Sequence, residues 1–248
     1  MSLKPLLSIL ADGQFHSGDA LGDGLNVSRT AIWKQIKKVE ALGVSVESVK
    51  GKGYCIQGGL DLLSLEKLNA LVTPVARNLI SEIEVREVVD STNAIAMSKA
   101  IEGATGYVCT TEQQTAGKGR RGKAWASPYA ANLYISVVWE FSGGASALEG
   151  LSLAVGVAVA KALEESGVNG VRLKWPNDIL CDGRKLAGIL LEIAGDFSGP
   201  CQVVVGIGLN VSMPDKVSID QPWTDIQTIN KQAADRNRLL ALVLNHLM

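Results

Sequence analysis

The sequence is poor in histidine and has no paired cysteines. His16 and His246 are its only histidines and lie far apart, and its four cysteines show no repeated short spacing. This scarcity argues against a His/Cys metal site and against a Ser-His-Asp catalytic triad. We therefore expect a reduced, cytoplasmic protein whose chemistry relies on Lys, Arg, Asp, Asn and backbone donors, with no metal held by His or Cys.

Long apolar runs and a strong charge imbalance are also absent. Leu6–Leu10 is too short an apolar run for a signal peptide. The longest apolar stretch, Leu151–Ala160, contains Ser152 and Gly156 and is too short to span a bilayer. The chain has 24 Lys and Arg against 25 Asp and Glu. No membrane partner is expected, and any anion site must be a local feature.

The 248 residues leave room for two domains, and residues 1–60 are predicted to form a winged helix-turn-helix. Leu3–Ala11 has the pattern of a short apolar helix. Ser17 and Ser28 can each cap a following helix, and apolar residues recur at helical spacing after Ser28. Two capped helices joined by a short turn are typical of helix-turn-helix proteins.

Two short strands, Val44–Val49 and Tyr54–Ile56, are predicted to follow as a hairpin wing around a basic turn. Between residues 28 and 53, six cations oppose two carboxylates. This charge favours DNA binding over the alternative, an ordinary three-helix unit with a solvated polar face. The residues predicted to contact DNA are Ser28, Arg29, Lys34, Lys37 and Lys52.

The rest of the chain is predicted to be a linker and one larger domain. Residues 61–82 are expected to be a linker with a connecting helix at Asp61–Leu71. Residues 83–248 group many strands around few helices, which makes the chain α+β with a central mixed α/β sheet. The predicted strands are Glu84–Val89, Val108–Glu112, Leu133–Glu140, Val171–Trp175, Leu186–Ala194 and Cys201–Val211, and the predicted helices are Asn93–Glu102, Leu148–Ser166 and Arg236–Met248.

Residues 115–125, Thr-Ala-Gly-Lys-Gly-Arg-Arg-Gly-Lys-Ala-Trp, combine three glycines with four cations. Small residues let a ligand approach the backbone closely, so this loop predicts a phosphate or carboxylate site. It also fits the G-x-G-x-x-G and G-x-x-x-x-G-K patterns. Both patterns require a helix directly afterwards, and Ala124 stands where a P-loop needs Ser or Thr. Neither nucleotide fold is predicted, and a solvated surface loop remains the alternative.

Lys174-Trp175-Pro176-Asn177-Asp178 places a cation, an aromatic, an amide and a carboxylate at the end of a predicted strand. A tight turn at Cys181–Arg184 would make the strand that carries Lys174 antiparallel to the strand opened by Lys185, so that both lysines face one site. The alternative is a hairpin with ordinary surface charges. Ser91-Thr92-Asn93 is either a helix cap or a set of partners for an uncharged polar ligand.

Four segments, taken together and in order, resemble the biotin protein ligases, and the winged helix makes the chain similar to the bifunctional subgroup that also represses the biotin operon. The resemblance spans essentially the whole chain. It implies that biotin and ATP react to biotinyl-5′-AMP, with Mg²⁺, and that biotin then passes to a lysine of a biotin carboxyl carrier protein. It also implies operator DNA as a partner and a ligand-induced homodimer. The segments are Asp90–Asn93, Gln114–Gly122, Lys174–Asp178 and Lys185–Ile189.

The resemblance implies three overlapping sets of site residues. The catalytic set is Arg120, Lys185 and Asp178. The biotin-binding set is Ser91, Thr92, Asn93, Gln114, Lys118, Gly119, Arg120 and Lys185. The ATP-binding set is Lys174, Asn177, Asn210 and Trp223. Lys118 stands where the family usually has Arg, so the charge is kept without the bidentate fork of a guanidinium.

The sequence departs from the resemblance at its C-terminal end, where the family normally continues into a small β-barrel domain. We expect the catalytic domain at residues 83–248 to lack that barrel, with adenylation and transfer more affected than biotin binding. The alternative function is a biotin- or adenylate-responsive DNA-binding repressor with impaired catalysis. A lipoate ligase relative is the more distant alternative, which the Lys174–Asp178 segment and the Arg120-Arg121 pair disfavour.

Overall fold

A computed structural model describes residues 2–142, 148, 150–195, 200–214 and 217–248. Contacts within the chain divide it into two compact units, Met1–Leu62 with Pro128–Ala130 and Leu63–Ser127 with Ala131–Met248. Each unit has its own cluster of buried apolar side chains. Within the described ranges, every helix is too short or too polar to cross a membrane.

The N-terminal unit consists of three helices and a two-stranded antiparallel hairpin, which confirms the predicted winged helix-turn-helix. Leu10, Ile32, Ile36 and Val39 are buried between the helices. The apolar period of the third helix therefore faces the core of the unit, as predicted. The elements are α1 (Lys4–Leu10), α2 (Gly18–Leu25), α3 (Arg29–Ala41), β1 (Glu47–Val49) and β2 (Gly53–Cys55).

Both predicted helix caps are present in this unit. The Ser17 hydroxyl accepts a hydrogen bond from the Ala20 N–H at 3.0 Å, and the Ser28 hydroxyl accepts one from the Ala31 N–H at 3.2 Å. Between them, Asn26 ends α2 in the left-handed conformation with φ 52°. The turn of the helix-turn-helix is thus fixed by local backbone chemistry.

The wing is shorter than predicted, and a neighbouring segment pairs with its second strand. The His16 N–H donates to the Tyr54 carbonyl at 2.9 Å, and the Tyr54 N–H donates to the His16 carbonyl at 2.8 Å. Gly53 has φ +104°, and a Cβ there would overlap the His16 carbonyl. Only glycine fits where the two backbones come this close.

The second unit is built on one mixed sheet, as the sequence predicted, but the sheet has seven strands and not the six that were predicted. The strand order is β3-β4-β5-β9-β8-β7-β6, in which β3 and β4 are parallel and every other pair is antiparallel. The strands are β3 (Glu82–Val89), β4 (Tyr107–Gln114), β5 (Leu133–Phe141), β6 (Val171–Lys174), β7 (Asp178–Cys181), β8 (Arg184–Gly195) and β9 (Cys201–Leu209). The helices are α4 (Leu65–Leu71), α5 (Pro74–Leu79), α6 (Thr92–Ile101), α7 (Leu151–Glu165), α8 (Ile226–Asn230) and α9 (Arg236–Leu247).

The two faces of this sheet are covered differently. On one face α7 and α9 pack over the buried side chains of the central strands. On the other face α6 covers a smaller apolar cluster that includes Ala96, Cys109 and Val204. Because side chains alternate along a strand, Gly206 and Gly208 lie on the α6 face beyond Val204. The sheet is therefore left open there, next to the start of α6.

The predicted adjacency of the two lysine-bearing strands is wrong. The tight turn forms, with Asp182 and Gly183 at φ 49° and 73°, but it joins β7 to β8. Strand β6, which ends at Lys174, pairs with β7, so β7 separates it from β8. No strand was predicted between Asp178 and the turn at Cys181–Arg184, yet the four residues of Asp178–Cys181 alternate between the two faces and form a strand of their own.

Residues 61–82, predicted as a linker with one helix, contain α4 and α5. Leu68, Val72, Ala76 and Ile80 are buried in the main cluster of the second unit, and both helices contact α9. The α5 start, Thr73-Pro74, is a cap followed by proline at the first helical position. Sequence reasoning missed this helix because six residues are too few for a periodic pattern.

All four cysteines are free and buried. Burial raises the pKa of the Cys109 thiol to about 12, so almost none of it is the reactive thiolate near neutral pH. We expect no thiol of the native protein to react with dithionitrobenzoate within minutes, and all four to react in denaturant. Rapid release of thionitrobenzoate by the native protein would contradict this burial. The cysteines are Cys55, Cys109, Cys181 and Cys201.

Candidate active site

A cavity of about 340 Å³ opens on the α6 face of the sheet. Its walls are the start of α6, the glycine-rich loop and the turn between β6 and β7. Its floor is formed by strands β8 and β9, at Gly188, Gly206 and Gly208. It therefore lies where the apolar packing under α6 ends.

The three glycines keep this floor flat. A Cβ on Gly206 would overlap the amide group of Asn93. Gly188 and Gly208 are paired across β8 and β9, and a Cβ on either would run into the indole of Trp125. Larger residues at these positions would fill the cavity, so the glycines are needed for its shape and not for a special backbone angle.

A chain of neutral hydrogen bonds follows the buried end of the cavity. The Ser136 hydroxyl lies 2.6 Å from Asn93 Oδ1 and 2.8 Å from Thr92 Oγ1. Gln114 Oε1 accepts a hydrogen bond from the Thr92 N–H at 2.9 Å. Thr92, Asn93 and Ser136 are 3%, 4% and 0% exposed. This end of the cavity suits an uncharged polar group, because its donors and acceptors are already oriented by one another.

The same chain continues into the glycine-rich loop. Gln114 Nε2 donates to the Ser127 hydroxyl at 3.0 Å, and that hydroxyl donates to the Trp125 carbonyl at 3.0 Å. Ser91 occupies the cap position of α6, but its hydroxyl makes no capping hydrogen bond. Ser91 is therefore the N-cap residue by position without a side-chain cap, and it lines the cavity.

Charged groups gather at the opposite end of the cavity. Lys185 Nζ lies 2.8 Å from Asp178 Oδ1, and the two side chains are only 16% and 20% exposed. Arg120 Nη1 donates to Asn177 Oδ1 at 3.0 Å. Asn177 is itself fixed because its Nδ2 donates to the Ile189 carbonyl at 2.8 Å. These partners hold a lysine and an arginine in place before any ligand binds.

The glycine-rich loop is folded as a compact turn. The Gly119 N–H donates to the Lys123 carbonyl at 2.7 Å, and the Trp125 N–H donates to the Gly117 carbonyl at 2.9 Å. Its four cations line the cavity. This arrangement favours the predicted anion site over a purely solvated surface loop. The four cations are Lys118, Arg120, Arg121 and Lys123.

A second cavity of about 450 Å³ adjoins the first and contains Asn210 and Trp223. Lys185 and Trp125 line both cavities, and Lys185 Nζ lies 5.3 Å from the centre of the Trp125 ring. Asn210 Nδ2 donates to the Thr224 carbonyl at 3.1 Å. Lys185 therefore stands where a ligand in one cavity would meet a ligand in the other.

Most predicted site residues come together in these two cavities, and one does not. Lys174 is exposed at the end of β6 and lines neither cavity. The first cavity contains Ser91, Thr92, Asn93, Gln114, Lys118, Gly119, Arg120, Asn177, Asp178 and Lys185, and the second contains Lys185, Asn210 and Trp223.

Sequence reasoning missed Ser136 and Glu192 among the polar partners. Glu192 Oε2 accepts a hydrogen bond from Asn93 Nδ2 at 2.7 Å. Two signals were available: Ser136 is the one small hydroxyl within an apolar strand, and Glu192 shares a strand face with Gly188. Neither signal predicts which residue is the hydrogen-bond partner, because the partner depends on where α6 lies over the sheet.

The predicted DNA-contacting residues lie on α3 and the wing of the N-terminal unit. Arg29 is paired with Asp19 at 3.8 Å, and Lys37 with Glu40 at 2.7 Å, in exposed positions. Lys34 is exposed, and Lys52 Nζ lies 5.6 Å from the Phe15 ring centre. The fifth residue, Ser28, caps α3.

Comparison with known proteins agrees with both units. The model of the biotin/lipoate A/B protein ligase family matches residues 85–210, and that of a helix-turn-helix domain matches residues 3–55. The bifunctional ligase/repressor BirA of Salmonella typhimurium is 40% identical over 241 residues, 96% of this chain and 73% of the relative. BirA of Escherichia coli is 38% identical over 244 residues, 98% of this chain and 74% of the relative. Among solved structures, biotin protein ligase from Aquifex aeolicus in complex with biotin and ATP matches with a TM-score of 0.58 and 29% identity, covering 68% of this chain and 69% of that one.

Proposed function

The chain belongs to the biotin/lipoate A/B protein ligase family, in the branch that carries a helix-turn-helix domain, and we therefore propose that it is an ATP-dependent biotin protein ligase that also represses transcription. The observation that carries the ligase proposal is the first cavity, which is neutral at one end and cationic at the other. Biotin has the same division, because its ring head is uncharged and its tail ends in a carboxylate.

The buried end of the cavity would hold the ring head of biotin. Ser91, Thr92, Asn93 and Gln114 offer neutral donors and acceptors there. The carboxylate would then point toward the loop and the charged pair, where the backbone of Gly119 allows close approach and positive charge is concentrated. The cations near the carboxylate are Lys118, Arg120 and Lys185.

The first step would be attack of a biotin carboxylate oxygen on the α-phosphorus of ATP. A new O–P bond forms, the bond from the α-phosphorus to the bridging oxygen breaks, and pyrophosphate leaves. Two anions must approach each other, and fixed cations offset their repulsion. Lys185 and Arg120 are suited to this role because Asp178 and Asn177 already hold them.

ATP would bind across the second cavity, with Trp223 beside the adenine and Asn210 as a hydrogen-bonding partner. Asn177 lies near the phosphates in this arrangement. Lys174 is exposed, which suits contact with the outer phosphates and not with the adenosine. Mg²⁺ is bound in such sites through substrate phosphates and one or two carboxylates, and Asp178 is the carboxylate that the first cavity offers.

The second step would be attack of a lysine amine of a carrier protein on the acyl carbon of biotinyl-5′-AMP. The C–N bond forms, the bond from the acyl carbon to the phosphate oxygen breaks, and AMP leaves. The amine must lose a proton, and Asp178 is the carboxylate lining the cavity that could accept it. The acceptor class proposed is a biotin carboxyl carrier protein.

The repressor half of the proposal rests on the N-terminal unit. Its basic helix α3 and wing are suited to DNA phosphates, and the relatives it matches are named bifunctional ligase/repressors. We propose that the adenylate-bound chain forms a homodimer that binds operator DNA, and that it acts in the cytoplasm. The alternative, a ligand-responsive repressor with impaired catalysis, would bind biotin and DNA without turnover.

A transfer assay tests the ligase proposal. The full chain is incubated with ATP, Mg²⁺, a biotin carboxyl carrier domain and equal amounts of biotin and lipoate, and the carrier is analysed by mass spectrometry. We expect the carrier to gain biotin and almost no lipoyl group. Lipoylation in preference to biotinylation would overturn the substrate assignment. Ligand-dependent DNA retention without any transfer would favour the repressor alternative.

Lys37→Ala and Lys52→Ala are expected to weaken binding to a labelled random-sequence DNA duplex, measured by fluorescence anisotropy at several salt concentrations. Each removes one cation facing phosphate, so the slope of log affinity against log salt should fall by about 1. Lys67→Ala, which removes an exposed lysine of α4, is the matched control and should leave the slope unchanged. Equal slopes in all three variants would argue against the proposed DNA-binding surface.

A further inference from the structure

Glu192 touches the proposed biotin site only through another side chain. It lies on β8, and its carboxylate accepts a hydrogen bond from Asn93 Nδ2 at 2.7 Å. Asn93 is 4% exposed and stands directly over Gly206. The amide therefore has little room to move, and its two ends are distinguished only by their partners.

A carboxylate can only accept hydrogen bonds, whereas the two ends of an amide differ in that one donates and the other accepts. Glu192 thus requires Asn93 to present its NH₂ group to β8. Asn93 Oδ1 then faces Ser136, whose hydroxyl is 2.6 Å away and must donate to it. The reversed amide would set two acceptors against each other at Glu192, a costly arrangement at a buried site.

The Thr92 hydroxyl is oriented by Ser136 and Gln114 together. Thr92 Oγ1 donates its own hydrogen to Gln114 Oε1 at 3.2 Å and accepts a hydrogen bond from the Ser136 hydroxyl at 2.8 Å. With its hydrogen committed to Gln114, Thr92 can only accept a hydrogen bond from a further partner. Thr92 lines the cavity, so a bound ligand would have to offer an N–H at that point.

We propose that Glu192 is a positioning residue that fixes the orientation of the Asn93 amide at the buried end of the cavity, with Asn93 Oδ1 facing Ser136, and so strengthens the binding of a ligand there. This inference rests on the proposed function, because the ligand in question is the ring head of biotin. It adds a residue from a different strand to the site. It also gives the carboxylate a role in binding rather than in catalysis.

A second role for Glu192 must be separated from this one. Glu192 also lines a shallow cleft beneath the glycine-rich loop, together with Leu190, where its charge faces the loop cations. A role as a counter-ion requires the negative charge. The proposed role requires only an oxygen acceptor facing Asn93, so replacing the carboxylate by an amide distinguishes the two.

The test is biotin affinity by titration calorimetry for the full chain and a set of Glu192 variants. Glu192→Leu removes the acceptor and leaves the buried Asn93 NH₂ unpaired, so biotin should bind about 10- to 100-fold more weakly. Glu192→Gln retains an acceptor oxygen and should stay within about threefold of the natural chain. Glu140→Leu, an exposed glutamate of β5, is the matched control and should change nothing.

A double-variant cycle shows whether Glu192 acts through Asn93. The effect of Glu192→Leu should vanish in an Asn93→Ala background, so that Asn93→Ala and the double variant agree within about twofold. Multiplied losses would overturn the proposal. A loss for Glu192→Gln as large as that for Glu192→Leu would show the counter-ion role instead. Thermal melting accompanies each variant, and Glu192→Met replaces Glu192→Leu if the leucine variant does not fold.

The same titrations distinguish a failure of the positioning role of Glu192 from a failure of the proposed function. If the natural chain binds no biotin, the proposed function fails. If the natural chain binds biotin and Glu192→Leu binds it equally well, the proposed function stands and the positioning role fails. The KM for ATP should change less than threefold in the Glu192 variants, roughly the effect of losing one distant neutral contact, because the second cavity shares none of these hydrogen bonds.

Discussion

Replacing Lys185 by Met is expected to reduce the kcat of biotin-dependent adenylation by about 10²- to 10³-fold, the usual cost of removing one preorganised donor from a developing charge. The methionine keeps most of the side-chain volume and removes the cation. Lys185 is only 16% exposed, is held by Asp178 at 2.8 Å and stands where the two cavities meet. Its charge is therefore fixed where the carboxylate and the α-phosphate would come together.

The comparison between biotin affinity and kcat in this variant is the more specific test of the role of Lys185. Biotin affinity should fall much less than kcat, because in the proposed binding mode the ring head would lie at the far end of the cavity, beside Thr92, Asn93 and Gln114. Lys161→Met removes an exposed lysine of α7 and is the matched control. Pyrophosphate release is measured under single-turnover conditions. A Lys185→Met chain that keeps more than about a tenth of the natural rate would contradict the assigned role.

Replacing Arg236 by Met is expected to destabilise the second unit by about 3–5 kcal/mol, the usual cost of removing one partner of a buried ion pair. Arg236 is 2% exposed, and its Nη2 lies 2.8 Å from Glu112 Oε2. It also donates from Nε and Nη2 to the Asn132 carbonyl at 3.1 and 2.8 Å. Without the guanidinium, the Glu112 carboxylate stays buried with the Leu63 N–H as a donor at 2.5 Å.

The measurement is urea unfolding, with the midpoint and slope compared between variants. Arg238→Met, two residues further along α9 and exposed, is the matched control and should change stability by at most about 0.5 kcal/mol. Adding Glu112→Gln to Arg236→Met should recover part of the loss, because a neutral amide is cheaper to bury than an unpaired charge. Equal midpoints for Arg236→Met and Arg238→Met would contradict the buried-pair account.

Features set by neighbouring residues were predictable from the sequence. The Ser17 and Ser28 caps form because a hydroxyl needs to reach a backbone N–H only three residues away. The mixed sheet and the family followed from strand patterns and four short segments, and the family comparisons confirm both.

Features that depend on distant packing were not predictable. Strand β7 was missed because four residues between a proline turn and a glycine turn give no clear period. That omission made the Lys174 and Lys185 strands neighbours, whereas β7 lies between them. Glu192 was missed for a similar reason, since its partner Asn93 is 99 residues away in sequence.

The Arg236–Glu112 pair illustrates the same limit. A charged residue near the start of an amphipathic helix is ordinarily solvated, and no local pattern distinguishes Arg236 from Arg238. Burial of one and exposure of the other follow from how α9 packs against α7, α4 and α5. The sequence thus predicted most secondary-structure elements and the family. The contribution of an individual charge to stability could be assessed only from the tertiary fold.

Biotin-dependent exchange of labelled pyrophosphate into ATP tests the central claim most directly, because it isolates the adenylation step from the carrier and from DNA. The full chain with ATP, Mg²⁺ and labelled pyrophosphate should incorporate label into ATP only when biotin is present. Omitting biotin, or replacing it with lipoate, should abolish exchange. A chain that binds biotin and ATP but shows no biotin-dependent exchange would contradict the account of this cavity as the site of biotin activation.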